Sequence, residues 1–251
     1  MDALPMSASN DSMYYPLNKS RSEIRLLEIS RHIDDNEQIG CKLTTCSLSD
    51  NPEYIALSYV WGSRDKPVDI LVNEHIVQVT ENLAHALQDI RTNIVARNSK
   101  EEVFYFWIDA LCINQDNKQE RSDQVQMMKS IFAGAEWVLS WLGPSSPDIM
   151  LALETCRRLV KSLRLIYEEA PHISPQAQIN KLASENHDLF EMNYTGVMKN
   201  TARNALWSLT QNEYWLRIWI LQEISVSRIV WLMNGNVWID FEDVLLVSLW
   251  C

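Results

Sequence analysis

Glycine is scarce in this chain, six among 251 residues, and none falls in a GxxxxGK[ST] pattern. That disfavours a phosphate-loop NTPase, whose backbone needs such glycines to cradle a triphosphate. No HExxH segment and no CxxC or Cys/His metal spacing occurs. The cysteines are odd in number and scattered, at Cys41, Cys46, Cys112, Cys156 and Cys251. They read as reduced thiols of a reducing compartment rather than as a disulfide framework. Net charge is -11 and no Lys/Arg run stands out, so no basic face for nucleic acid is expected. No uninterrupted apolar run approaches a membrane span, and the opening MDALPMSASNDSMYYPL lacks the apolar core of a signal peptide. The expectation is a soluble cytoplasmic protein with no membrane span, no metal and no tightly bound cofactor.

What is present is a large apolar fraction, 47%, enough to bury a full core as one domain or as one domain plus an insertion. The stretch that organises the rest runs from Val103 to Gly143. Val103 to Ile108 reads as a strand buried on both faces. Asp109 closes it, and Cys112 to Asp116 form a polar loop at its carboxyl end. Asn117 with Glu120 resembles a capping box opening a helix, with Val125, Met128, Phe132 and Ala135 on one face. Trp137 to Trp141 is the next strand, and Gly143-Pro144 stops it. Strand, helix and strand make a βαβ unit, which predicts an α/β fold on a parallel sheet flanked by helices.

Residues 1–20 are expected to be loosely ordered, and 21–251 to form one domain. Strands are expected at Ile24 to Ile29, Ile39 to Leu48 and Tyr54 to Trp61. A β-hairpin follows, Val68 to Leu71 and Ile76 to Val79, joined at Asn73-Glu74. Thr80 is an N-cap for a helix through Arg91. Prolines at 144, 147, 171 and 175 punctuate a helical insertion over 144–203. A long helix from Asn204 to Val226 and two short strands, Arg228 to Met233 and Val237 to Ile239, complete the reading. The apolar C-terminal stretch, Val247 to Cys251, suggests an interface or a chain cut short.

Within the long helix, Tyr214 to Ile224 is apolar in nearly every direction, which predicts burial on most sides. Trp215, Trp219 and Glu223 fall four apart on one face, and Glu213 is placed to pair with Arg217. Glu223 is then a carboxylate on a tryptophan-lined face without a local counter-charge. Either another element supplies it with a hydrogen bond, or it faces a pocket.

Tyr54 to Gly62 (YIALSYVWG) resembles the opening motif of the heterokaryon-incompatibility (HET) domain. Phe106 to Gln115 (FWIDALCINQ), with Glu120-Arg121 and Gln124-Val125 after it, resembles the second. Arg217 to Glu223 (RIWILQE) resembles the third, and Ile24 to Leu27 the lead-in. The resemblance implies fungal self/non-self recognition that ends in programmed cell death. The implied partners are a second copy or another incompatibility protein. It also implies likeness to TIR domains, hence a flavodoxin-like sheet and hydrolysis of NAD between nicotinamide and ribose. On that match Glu223 is the catalytic candidate. Nicotinamide leaves a cationic ring as a neutral one, so a lone carboxylate suffices where ordinary glycosides need two. The hairpin and the insertion depart from a compact TIR pattern.

Ligand crevices in parallel sheets lie at the carboxyl ends of strands. Trp61, Gly62, Arg64, Asp109, Asn114 and Gln115 sit at such ends; with Ser58 and Tyr59 of the first motif and Trp219 of the third they are the binding candidates, and NAD is the substrate that the resemblance implies. Tyr59 or Trp61 would stack on a ring and Arg64 would meet a diphosphate, while Asp109, Asn114 and Gln115 would bind ribose or amide groups. Each has a plainer alternative: Trp61 as core, Asp109 and Asn114 as loop caps, Arg64 as a solvated side chain, Cys112 as a small apolar residue. Three function classes remain open: an NAD-consuming enzyme, a non-catalytic module acting by self-assembly or partner docking, and a nucleotide-binding regulator without turnover.

Overall fold

A computed structural model describes residues 13–31, 38–97, 103–169, 172, 174–187 and 201–250. The chain divides into two compact units, Met1–Val138 with Gln222–Arg228, and Leu139–Leu221 with Ile229–Cys251. The first holds β1 (Glu23–Ile29), β2 (Gly40–Ser47), β3 (Ile55–Tyr59), β4 (Pro67–Val72), β5 (His75–Thr80) and β6 (Tyr105–Trp107), in the order β5-β4-β2-β1-β6-β3. Three helices accompany them: α1 (Glu81–Ile90), the short α2 (Asp109–Cys112) and α3 (Lys118–Gly134). The architecture is α/β, with a sheet flanked by helices.

The expectation of a parallel sheet is corrected in part. β3 pairs with β6, and β2 with β4, in parallel; β1–β2, β1–β6 and β4–β5 are antiparallel. A two-residue link admits only an antiparallel pair, and the β4–β5 hairpin turns on Asn73 and Glu74, both at positive φ (48° and 67°). All five residues of β3 are buried, four of them apolar or aromatic and the fifth, Ser58, hydrogen-bonded. Thr80 caps α1 by accepting the Leu83 N–H at 3.3 Å. Asn117 caps α3 by accepting from the Gln119 and Glu120 amides, each at 3.1 Å. On α3, Met128, Ile131, Phe132 and Gln124 turn inward while Val125 is exposed. Of the expected apolar face, Met128, Phe132 and Ala135 are buried and Val125 is not; Gln124 turns inward in its place, its side-chain amide donating to the Glu23 carbonyl at 3.0 Å.

Of the N-terminal segment expected to be loose, 1–12 lie outside the described residues; Met13 is buried and the Tyr14 hydroxyl donates to the Leu111 carbonyl at 3.0 Å.

β7 (Trp137–Trp141) leads into the second unit, which holds β8 (Val230–Asn234), β9 (Val237–Asp240), α4 (Pro147–Glu169), α5 (Pro175–Glu185), α6 (Thr201–Thr210) and α8 (Phe241–Trp250). α4 buries Ile149, Ala152, Leu153, Cys156, Leu159, Val160, Leu163 and Ile166, the spacing of one helix face. Asn234 is fully buried; it donates to the Gly143 and Pro144 carbonyls (2.9 and 3.0 Å) and accepts from the Ser146 amide (2.8 Å). The expected insertion carries α4 and α5, and its residues 188–200 lie outside the described ones, as does Cys251.

The long helix expected from Asn204 to Val226 does not form. Its span holds α6, a 3-10 turn over Glu213–Leu216, and a separate short helix α7 (Ile220–Ser225). Asn212 ends the first piece: its side chain accepts from the Tyr214 amide and donates to the Leu142 carbonyl, both at 2.9 Å. Such side-chain bonds offer the backbone an alternative to the helix, and the aromatic, β-branched YWLRIWI run resists it weakly. Arg217 is then extended (φ -76°, ψ 124°), its guanidinium over the Tyr214 ring at 5.7 Å. Burial on most sides fails too: Leu216, Ile218 and Leu221 are 83%, 81% and 74% exposed.

Candidate functional site

The carboxyl end of β3 and the loop after β6 meet at a cavity of about 340 Å³ in the first unit. Past β3, Asn82 on α1 donates to the Val60 carbonyl at 3.1 Å. Gly62 follows at φ +75°, where an added Cβ would sit 2.9 Å from the Asn82 side chain. The tight turn therefore needs glycine on two counts. It delivers Trp61 to the cavity, and the indole N–H donates to Asp109 Oδ2 at 2.9 Å. Asp109 is itself fixed, Oδ1 by the Ala110 amide (2.7 Å) and its carbonyl by the Gln115 side chain (2.8 Å). Arg64 places its guanidinium 5.8 Å from the Trp61 ring centre, within cation–π range.

Asn114 turns the second loop, accepting from the Asp116 amide at 3.1 Å, while its own amide donates to Glu120 Oε1 at 2.8 Å. Glu120 is thus recruited away from the reciprocal bond of a capping box. It pairs instead with Arg25, a guanidinium 2% exposed, at 2.5 and 3.1 Å. Arg25 also donates to the Cys112 and Tyr15 carbonyls (3.0 and 2.6 Å) and lies over the Tyr14 ring. One buried ion pair therefore ties the first turn of α3 to the N-terminal segment and the loop, the latter two of which wall the cavity.

Of the residues expected to form a site, the cavity gathers Tyr59, Trp61, Arg64, Asn114 and Gln115, with Asp109 bonded to Trp61 and Gly62 in the turn beside it. Glu223 and Ser58 are not among its walls. They bond to each other, Ser58 Oγ donating to Glu223 Oε2, and are 2% and 1% exposed. Successive side chains of a strand leave opposite faces, so Tyr59 reaches the cavity while Ser58 reaches Glu223. The Glu223 carbonyl accepts from the Ser227 hydroxyl at 2.5 Å. Trp219 belongs to the second unit, precedes α7 and is half-exposed, so it does not share a helix face with Glu223.

Cys112 is fully buried and its thiol is pushed up to about 12, chiefly by burial, so it stays protonated and inert at neutral pH. Burial likewise raises the Tyr14 hydroxyl far above its ordinary value. Among the described residues no group of three His, Cys, Asp or Glu could hold a metal ion, and no helix is long and apolar enough to cross a membrane. Sequence reasoning passed over Tyr14, Arg25 and the hairpin residues Gln78 and Thr80 as parts of the site. For Arg25 a signal was there: a cation between the apolar Ile24 and Leu26, at a position of the strand flanked on both sides by core residues.

The heterokaryon incompatibility protein (HET) family model matches residues 54–223, more than half of the chain. The chain belongs to the HET family. The match begins at the head of β3 and ends at Glu223, so the HET region takes in the Trp61 turn, the Asp109 to Gln115 loop and the buried carboxylate. The HET chain is also similar to heterokaryon incompatibility protein 6, OR allele, of Neurospora crassa, 34% identical over 140 residues. That match covers 53% of this chain and 20% of the relative, so the chain spans only a fraction of the relative's length. No solved structure matches.

Proposed function

We propose that this HET chain is a cytoplasmic signalling module of fungal self/non-self recognition whose engagement leads to programmed cell death, and that its cavity binds NAD. The observation that carries the ligand is the cavity wall: an indole held by Asp109, a guanidinium over it, and the Asn114 and Gln115 side chains beside them. Such a wall suits a flat ring, a phosphate and ribose hydroxyls together. The TIR likeness of the sheet is part of the same proposal, centred on the parallel β3–β6 pair.

Turnover extends this reading. Ser58, the partner of Glu223, immediately precedes Tyr59 of the cavity wall, but the two side chains leave opposite faces of β3, so turnover requires a rearrangement that brings Glu223 to the ligand. In the reaction the ribose C1–nitrogen bond breaks, its electron pair leaves with neutral nicotinamide, and water adds to the sugar with loss of a proton. Glu223 would stabilise the cationic sugar. A second reading, a non-catalytic module that docks a second copy or another incompatibility protein, is favoured by the exposed Leu216, Ile218 and Leu221.

The test is to incubate the chain, dilute and clustered, with NAD and to measure binding and nicotinamide release beside Glu223→Gln and Trp61→Ala. Release lost in Glu223→Gln supports turnover. Binding without release, lost in Trp61→Ala, supports a binding module. Failure to bind at millimolar NAD overturns the cavity assignment and leaves the docking reading.

A further inference from the structure

The Arg64 guanidinium lies over the ring that a flat ligand would use. Asp109 accepts the Trp61 indole N–H at 2.9 Å and is itself held by two further hydrogen bonds. The indole is therefore pinned, and a ring that stacks on its cavity face competes with Arg64, 5.8 Å from the ring centre. Arg64 is the freer partner: it is exposed, on a turn shaped by Ser63, whose hydroxyl donates to Asp65 at 2.6 Å. Among the lining residues Arg64 carries the positive charge and Asp116 the negative one. An anion entering this cavity meets repulsion from Asp116 unless Arg64 turns toward it.

We propose that Arg64 is the specificity-determining residue of the cavity: it yields the Trp61 face only to a ligand that repays it with a phosphate. The favoured ligand is then a base–ribose–5′-phosphate unit over the matching unphosphorylated nucleoside. A volume of about 340 Å³ lies at the low end for ligand pockets and suits one such unit, half of a dinucleotide. This deepens the NAD reading and rests on it. A bare nucleoside removes the cation–π contact and returns nothing; a nucleotide removes it and gives Arg64 a charge-assisted partner.

Calorimetric titration of the chain tests this with nicotinamide mononucleotide and nicotinamide riboside, with adenosine 5′-monophosphate and adenosine, and with inorganic phosphate. The two base pairs of ligands distinguish which half of NAD is taken. Wild-type chain is expected to bind the phosphorylated member about tenfold or more tightly than its nucleoside, and inorganic phosphate more weakly than either nucleotide. Arg64→Ala is expected to weaken the nucleotide about tenfold while tightening the nucleoside about two- to fivefold, because the ring face is cleared. Arg64→Lys keeps the charge and is expected to fall between. Unchanged thermal unfolding of both variants shows that neither effect comes from misfolding. Nucleotide binding with no nucleoside gain in Arg64→Ala overturns the exchange and leaves the cavity assignment standing. No binding of any of these compounds overturns both.

Discussion

Glu120 and Glu223 both turn their carboxylates inward in the first unit, and their surroundings are of opposite kinds. Glu120 meets a guanidinium through two bonds and a loop amide through a third. Glu223 meets the hydroxyl of Ser58 on the far face of β3 from the cavity. The first is a compensated charge that fixes loops. The second accepts from a neutral hydroxyl and is buried away from the cavity. The acid that anchors the loops and the acid proposed for turnover are therefore different residues in different surroundings.

Stability measurements by urea unfolding break or sharpen that contrast. Glu120→Ala strands Arg25 in the core and is expected to cost about 3–5 kcal/mol, whereas Arg25→Met with Glu120→Leu restores most of the loss. If Glu120→Ala proves mild, the pair is not the anchor described. Ser58→Ala removes a donor from a buried carboxylate and is expected to cost about 1–3 kcal/mol, clearly less than Glu120→Ala. Equal losses in Glu120→Ala and Ser58→Ala would erase the distinction between the two acids. Gly62→Ala forces a side chain into the left-handed region and against Asn82, an expected cost of about 1–2 kcal/mol, together with weaker NAD binding as Trp61 shifts. Leu216→Ser and Leu221→Ser touch exposed positions and are expected to change stability by no more than about 0.5 kcal/mol. A large loss there would mean that the third motif is core after all.

The strands and the hairpin were legible in the sequence because local signals and the final pairing agree: Asn73-Glu74 supplies the two left-handed residues that a two-residue turn demands. The loops after β3 and β6 were legible for the same reason, since glycine and Asx residues sit where the backbone turns. The long helix was misread because apolar periodicity reports what can be buried, not what is. Asn212 diverts the backbone, and the apolar side chains of Leu216, Ile218, Trp219 and Leu221 then point outward while Ile220 stays buried. The site role of Arg25 was hidden for a related reason: its partners come from the segment before β1 (Tyr15) and, far off in sequence, from Cys112 and Glu120, and only the folded chain brings them together.

The most direct test follows the indole N–H resonance of Trp61, assigned by its loss in Trp61→Phe, while NAD is titrated into the chain. A saturable shift of that resonance, absent in a chain whose Asp109 is changed to Ala, is the result expected of an NAD cavity. A resonance that stays put at millimolar NAD would contradict the assignment.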